Sequence, residues 1–132
     1  MKKTSLLVVI LIPLLFSCHK DEIKIDRDNL LIGTWNFSVY QNNIAVYTRS
    51  LEFSENHAYK FNPDGTLLER KIAGFCGTPP ISYTNYDGSW TILNDTLLEI
   101  NSEYWGGTTL YKLDVESVSE NSLKVILISG TN

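Results

Sequence analysis

From Leu30 onward, apolar and polar residues alternate with a period of two. Trp35, Phe37 and Val39 share one parity against Asn36 and Ser38, Tyr59 and Phe61 flank Lys60, and Trp90 and Ile92 flank Thr91. Tyr111, Leu113 and Val115 alternate in the same way with Lys112 and Asp114. This is the period of a half-buried strand, and no stretch of useful length carries the 3.6-residue period of an amphipathic helix. Turn residues interrupt the pattern at intervals of roughly ten positions, as in sandwiches and barrels. Asn42-Asn43, Asn94-Asp95 and Gly106-Gly107 suit two-residue hairpins, because Asn, Asp and Gly tolerate positive φ. Glu120-Asn121 and Pro63-Asp64-Gly65 are further turns, and Ala73 to Pro80 is a longer Gly/Pro loop. These breaks predict eight strands, at 31–41, 44–53, 57–62, 65–73, 81–92, 96–104, 108–118 and 122–128, with a bulge or bend at Asp87-Gly88. The last strand is apolar on both faces after Lys124, which suits a central or closing position. The fold class expected is all-β: an eight-stranded antiparallel up-and-down barrel, with a two-sheet sandwich of the same strands as the alternative.

The first residues follow another pattern. Lys2 and Lys3 precede an apolar run from Leu6 to Phe16, broken only by Pro13. A run of about eleven residues at ~1.5 Å each reaches about 17 Å, short of a ~30 Å hydrocarbon core. It reads as a cleaved secretory signal rather than a membrane span. The run ends in Leu15-Phe16-Ser17-Cys18, which resembles the bacterial lipobox. That resemblance implies that the Cys18 thiol receives a diacylglycerol, that the signal is removed, and that the new amino group is acylated, with palmitate as a typical chain. One fatty chain binds membranes only marginally, whereas two or more anchor stably. Lys20-Asp21-Glu22 resembles a lipoprotein export signal of Gram-negative bacteria, a Lys followed by two acids, and implies the outer face of the outer membrane. A periplasm-facing position is the alternative. The expected organisation is a signal peptide over 1–17, an acidic tether over 18–29 that reaches roughly 20 Å as a coil, and a barrel domain over 30–132.

Composition narrows the function classes. Removing Lys2 and Lys3 from the eleven Lys and Arg leaves nine against fifteen Asp and Glu, a formal charge of −6 after Cys18. That balance argues against nucleic acid as a partner. With Cys18 acylated, Cys76 is the remaining thiol and no internal disulfide can form.

Three stretches carry a second resemblance. Leu31-Ile32-Gly33-Thr34-Trp35 resembles the Gly-x-Trp motif on the first strand of lipocalins. Phe61-Asn62-Pro63-Asp64-Gly65-Thr66 and Gly88-Ser89-Trp90-Thr91-Ile92 resemble hairpins of small bacterial lipocalin-like domains. The resemblance implies a barrel with an apolar interior and Trp35 plugging its closed end. In lipocalins that Trp often packs against an Arg near the last strand. No Arg follows Arg70 here, so the stacking is expected to be missing or supplied by Lys124.

Candidate chemistry is sparse. His57 and Cys76 are the residues a nucleophilic dyad would use, yet nothing in their spacing implies contact. His57 is expected at the surface, and an enzyme would need one of them to meet a carboxylate in a cleft. No metal-ligand spacing, calcium loop or phosphate cradle is present, so neither a metal nor a cofactor is expected. Trp35, Phe37, Tyr59, Phe61, Trp90 and Tyr111 are expected to line a ligand pocket or to fill the core. Tyr104-Trp105, beside Gly106-Gly107, is a candidate contact for an envelope protein partner. The function expected is a membrane-anchored, non-enzymatic module binding a small apolar or sugar-like ligand. The alternative is a structural or interaction lipoprotein with a filled barrel.

Overall fold

Asn42 and Asn43 both hold positive φ, 51° and 66°, and close the first hairpin as a two-residue turn that Asn tolerates. The computed structural model describes residues 30–74 and 80–129. Cys18, Lys20, Asp21, Glu22 and Cys76 lie outside the described residues. The strands are β1 (Gly33–Gln41), β2 (Ile44–Ser50), β3 (Ala58–Phe61), β4 (Thr66–Ile72), β5 (Tyr83–Ile92), β6 (Leu97–Tyr104), β7 (Gly107–Val118) and β8 (Ser122–Ile128). All neighbours are antiparallel, and the sheet closes into a barrel rather than splitting into a sandwich. The expected strands are all present, and β2 stops at Ser50 rather than 53.

The ring runs β1-β2-β8-β7-β6-β5-β4-β3 and closes through β3 and β1. This corrects the strictly up-and-down order, which would set β2 beside β3 and β8 beside β1. The chain leaves β2 and climbs over the outside of β1 before entering β3. Asn36 pins this crossover. Its Nδ2 donates to Glu52 O at 2.9 Å, and its Oδ1 accepts from Ser54 N at 3.1 Å. β8, apolar on both faces, takes the interior position its composition suits, between β2 and β7.

Register shifts lie between Phe37 and Val39 and between Val115 and Ser117. The first reverses the expected parity of β1. Trp35 is fully buried, but beyond the bulge Tyr40 pairs with buried Ala45, and Val39 is exposed. β5 instead stays in register with β4 through Asp87-Gly88, so no bulge forms there. Gly88 answers a different need: a Cβ on it would lie 2.4 Å from Asn101 O on the neighbouring strand. The β6–β7 hairpin turns on Trp105-Gly106, not Gly106-Gly107, with Tyr104 paired to Gly107 across it.

Strand direction places the β3–β4, β5–β6 and β7–β8 turns at one end of the barrel. Leu31, Trp35, Phe61, Leu67, Trp90, Leu98 and Leu123 form the buried core. The Trp35 indole donates to Leu31 O at 2.9 Å, and the Trp90 indole to Asn62 O at 3.0 Å in the β3–β4 turn. That turn is itself tied by Asp64 Oδ1, which accepts from Thr66 N at 2.9 Å and from Thr66 Oγ1 at 2.6 Å. Each Gly-x-Trp stretch therefore fastens an indole to chain ends or turns at the sealed end.

The arginine over Trp35 exists, and it comes from β2. The Arg49 guanidinium carbon lies 4.2 Å from the Trp35 ring centroid. Arg49 also donates to Ile32 O at 2.7 Å, to Glu120 O at 2.6 Å and to Leu30 O. The strand order explains this: β2 borders β8, so a β2 residue reaches the β7–β8 turn. Lys124 is exposed and plays no such part. Gly33 makes room for the guanidinium. Its φ is +130°, and a Cβ there would sit 2.5 Å from Arg49 Nη1. Gly33→Ala is expected to cost about 1–3 kcal/mol in backbone strain, besides displacing Arg49. Its urea midpoint should fall by roughly 0.3–3 M at typical m-values of about 1–3 kcal/mol/M; an unchanged midpoint would show that the motif glycine is dispensable.

Candidate functional site

The opposite end of the barrel is open. β3 has only four residues and pairs with β1 over Gly33–Asn36 alone, so it covers only the lower wall. β5 and β6 pair only from Gly88 and Ser102 downward, so the wall also parts on that side. Between these edges lies a cavity of about 1070 Å³. Ligand cavities commonly span roughly 300–1,000 Å³.

The sequence-predicted aromatics divide between its wall and the core. Phe37, Tyr59 and Tyr111 line the cavity. Trp35, Phe61 and Trp90 belong to the packed core beneath it. Edge, stacked and tilted contacts link the two zones: Trp90 to Phe61 at 5.5 Å, Phe61 to Tyr59 at 5.5 Å, Tyr59 to Tyr47 at 5.4 Å and Tyr47 to Phe37 at 5.7 Å between centroids. Tyr104 and Trp105 stand at the mouth, where Trp105 is 54% exposed.

Deep in the cavity is a polar cluster that the sequence reading missed. β4 alternates Leu67, Glu69 and Lys71 on its inner face, which carries a carboxylate and an ammonium into the barrel. Glu69 is only 4% exposed. Its Oε1 accepts from Tyr111 Oη at 2.8 Å and meets His57 Nε2 at 2.9 Å, and its Oε2 accepts from Lys71 Nζ at 3.0 Å. Lys71 Nζ also donates to Ser102 Oγ at 2.8 Å. Tyr59 and Tyr111 join hydroxyls at 2.8 Å, and Tyr47 Oη lies 2.9 Å from His57 Nδ1. His57 is thus half-buried in the cavity wall, not at the surface as expected. The crossover loop ends beside β1, with Phe37 N donating to His57 O at 2.9 Å, and this turns the ring inward.

Burial alone would raise the Glu69 pKa. Hydrogen bonding with His57 and the charges of Lys71 and His57 outweigh it and hold the carboxyl at about 2. Burial, followed by neighbouring phenols and Glu69, pushes Tyr47 and Tyr59 far above the usual phenol range. Tyr111 is raised by burial and then by Glu69. The row Tyr47–His57–Glu69 has the connectivity of a nucleophile, base and orienting acid. Burial holds Tyr47 as a neutral phenol, so the row at rest is a chain of hydrogen bonds through the His57 ring. Among the described residues no group of three or more His, Cys, Asp or Glu is placed to hold a metal ion.

A small antiparallel barrel, sealed at one end by a tryptophan and opening at the other onto a cavity with a polar base, defines a small-molecule binding or accessory module. Residues 31–125 match the family model of the lipocalin-like domain, and the chain belongs to that family. No curated protein and no solved structure matches it.

Proposed function

We propose that this protein is a lipid-anchored envelope lipoprotein whose barrel binds a small ligand, apolar or sugar-like, at its open end. The observation that carries this reading is the cavity of about 1070 Å³, which is far more space than a filled interaction barrel would leave. Its aromatic rim and polar base suit an amphipathic guest, since such sites combine apolar walls with a few placed polar groups. Cys18 supplies the anchor, residues 18–29 the tether, and Lys20-Asp21-Glu22 the address to the outer face of the outer membrane. Tyr104 and Trp105 are gatekeepers of the mouth in this reading rather than a docking point for another envelope protein.

Two measurements test it. Mass spectrometry of the membrane fraction should find Cys18 diacylated, and Cys18→Ala should move the protein to the soluble fraction. A Cys18→Ala protein that stays with the membrane would end the anchor claim. Protease shaving of whole cells, with and without Lys20-Asp21-Glu22, reports the side of display. For the cavity, anisole should bind the purified protein near equimolar ratio, and Leu110→Trp or Leu127→Trp at the mouth should weaken it several-fold.

A further inference from the structure

The hydrogen-bond directions inside the cavity select among ligand heads. Glu69 is ionised and can only accept. Tyr111 therefore places its one hydroxyl proton on Glu69. Tyr59 must then donate to Tyr111, because the Tyr111 proton is already engaged. The inward proton chain leaves Tyr59 Oη with lone pairs as its remaining capacity. The same reasoning runs through His57. Its Nε2 carries the proton that meets Glu69, and Nδ1 either takes the Tyr47 proton or, in the imidazolium, donates its own to Tyr47 Oη. In either form Tyr47 Oη keeps a lone pair for a ligand. Lys71 has three N–H groups, of which Glu69 and Ser102 take two. The third has no partner among the described residues, and the ammonium stands 5.4 Å from the Tyr86 ring centroid.

The cavity base thus offers two acceptors and one donor around an ion pair that is already neutral. A ligand carboxylate would bring only acceptors, would meet the phenol lone pairs, and would stand beside ionised Glu69 with Lys71 already paired. A ligand ammonium would bring only donors and would stand beside Lys71. A hydroxyl both donates and accepts, and several on one rigid frame can answer all three positions. The rim adds Tyr40, Tyr83, Tyr104 and Trp105, whose ring faces can pack on the C–H faces of a pyranose.

We infer that the cavity recognises a neutral, hydroxyl-rich head, a pyranose or comparable polyol, with Tyr47, Tyr59 and Lys71 reading its hydroxyls. This rests on the ligand-binding reading above and narrows it.

The test is calorimetric titration of the purified full chain, held in phosphatidylcholine vesicles, with four probes that share one aromatic ring. They are phenyl β-glucopyranoside, phenylacetate, phenethylammonium and anisole, each corrected against empty vesicles. The glucoside should bind at least tenfold more tightly than phenylacetate or phenethylammonium. Tyr59→Phe, which keeps Tyr111 on Glu69 and the ring in the wall, should weaken the glucoside about tenfold more than it weakens anisole. If either ion binds as tightly as the glucoside, or if Tyr59→Phe leaves the glucoside unchanged, the inference is wrong. Anisole binding without any preference for the glucoside overturns the hydroxyl-rich head and leaves the cavity reading standing. Binding of none of the four overturns both.

Discussion

Trp35→Ala is expected to lower stability by about 3–5 kcal/mol, the range for removing a fully buried indole. Trp35 has no exposed surface, and its ring is the floor on which Arg49 lies. Burial of about 200 Å² at ~25 cal/mol per Å² sets an upper bound near 5 kcal/mol for the apolar part. Two losses add to it. The cation–π contact contributes roughly 0.5–2 kcal/mol, and Arg49 loses the surface that aims it at the carbonyls of Leu30, Ile32 and Glu120. Since domains of this size are stable by roughly 5–15 kcal/mol, the variant should be near its limit at ordinary temperature. The urea midpoint checks this. Arg49→Met, which keeps much of the apolar stem but loses the three hydrogen bonds, separates the contributions. It should cost less than Trp35→Ala, and the two losses should fall short of additivity because the residues touch. A Trp35→Ala protein with a wild-type midpoint would mean that the sealed end is not what holds the barrel shut.

Most of the strand pattern could be read from residues because local chemistry decides it. Period-two alternation, Asn-Asn and Pro-Asp-Gly turns, and an unbroken apolar last strand are local signals, and each corresponds to an observed element. The order of strands around the ring is not local. Whether β2 neighbours β3 or β8 depends on a crossover that Asn36 pins against β1, and nothing in a strand's own pattern reports its neighbours. The missing arginine follows from this. The lipocalin resemblance puts that arginine near the last strand, whereas the strand order here brings Arg49 of β2 to the same place. Val39 failed for a related reason: a single bulge changes the parity of everything beyond it.

The polar cluster was legible in part. Once a strand is drawn over 65–73 with Leu67 inward, period two forces Glu69 and Lys71 inward as well. The signal was overlooked because charged residues are assumed to face water. An opposite-charge pair two apart on a strand shares one face, and here that face lines the cavity. The contribution of His57 lay beyond the sequence. It needs the crossover loop, the short β3 and the β1 register together to bring the ring to Glu69. The roles proposed for Cys18 and Lys20-Asp21-Glu22 rest on short linear motifs outside the described residues, and the fractionation and shaving experiments are their test.

The acid limb of stability should be dominated by Glu69. Its carboxyl is held at about 2 in the folded protein against an ordinary 4.5. The folded state therefore binds fewer protons than the unfolded state across that window, and stability rises with pH there. The stabilisation is fully present above about pH 4.5 and is lost as pH falls through about 2. A shift of this size corresponds to about 3 kcal/mol at 1.36 kcal/mol per unit. Glu69→Gln should flatten the pH dependence of the urea midpoint between pH 5 and 2 by that amount. It should also cost roughly 3–5 kcal/mol at neutral pH, because Lys71 is left as a largely buried ammonium without its counter-charge. If that variant does not fold, Glu69→Gln with Lys71→Met removes both charges together. The double variant should be more stable than Glu69→Gln alone, since an unpaired buried charge costs more than no charge at all. A Glu69→Gln protein that keeps the full acid slope would place the responsible carboxylate elsewhere. Were the double variant no better than the single, Lys71 would not be the partner that makes Glu69 tolerable inside the barrel.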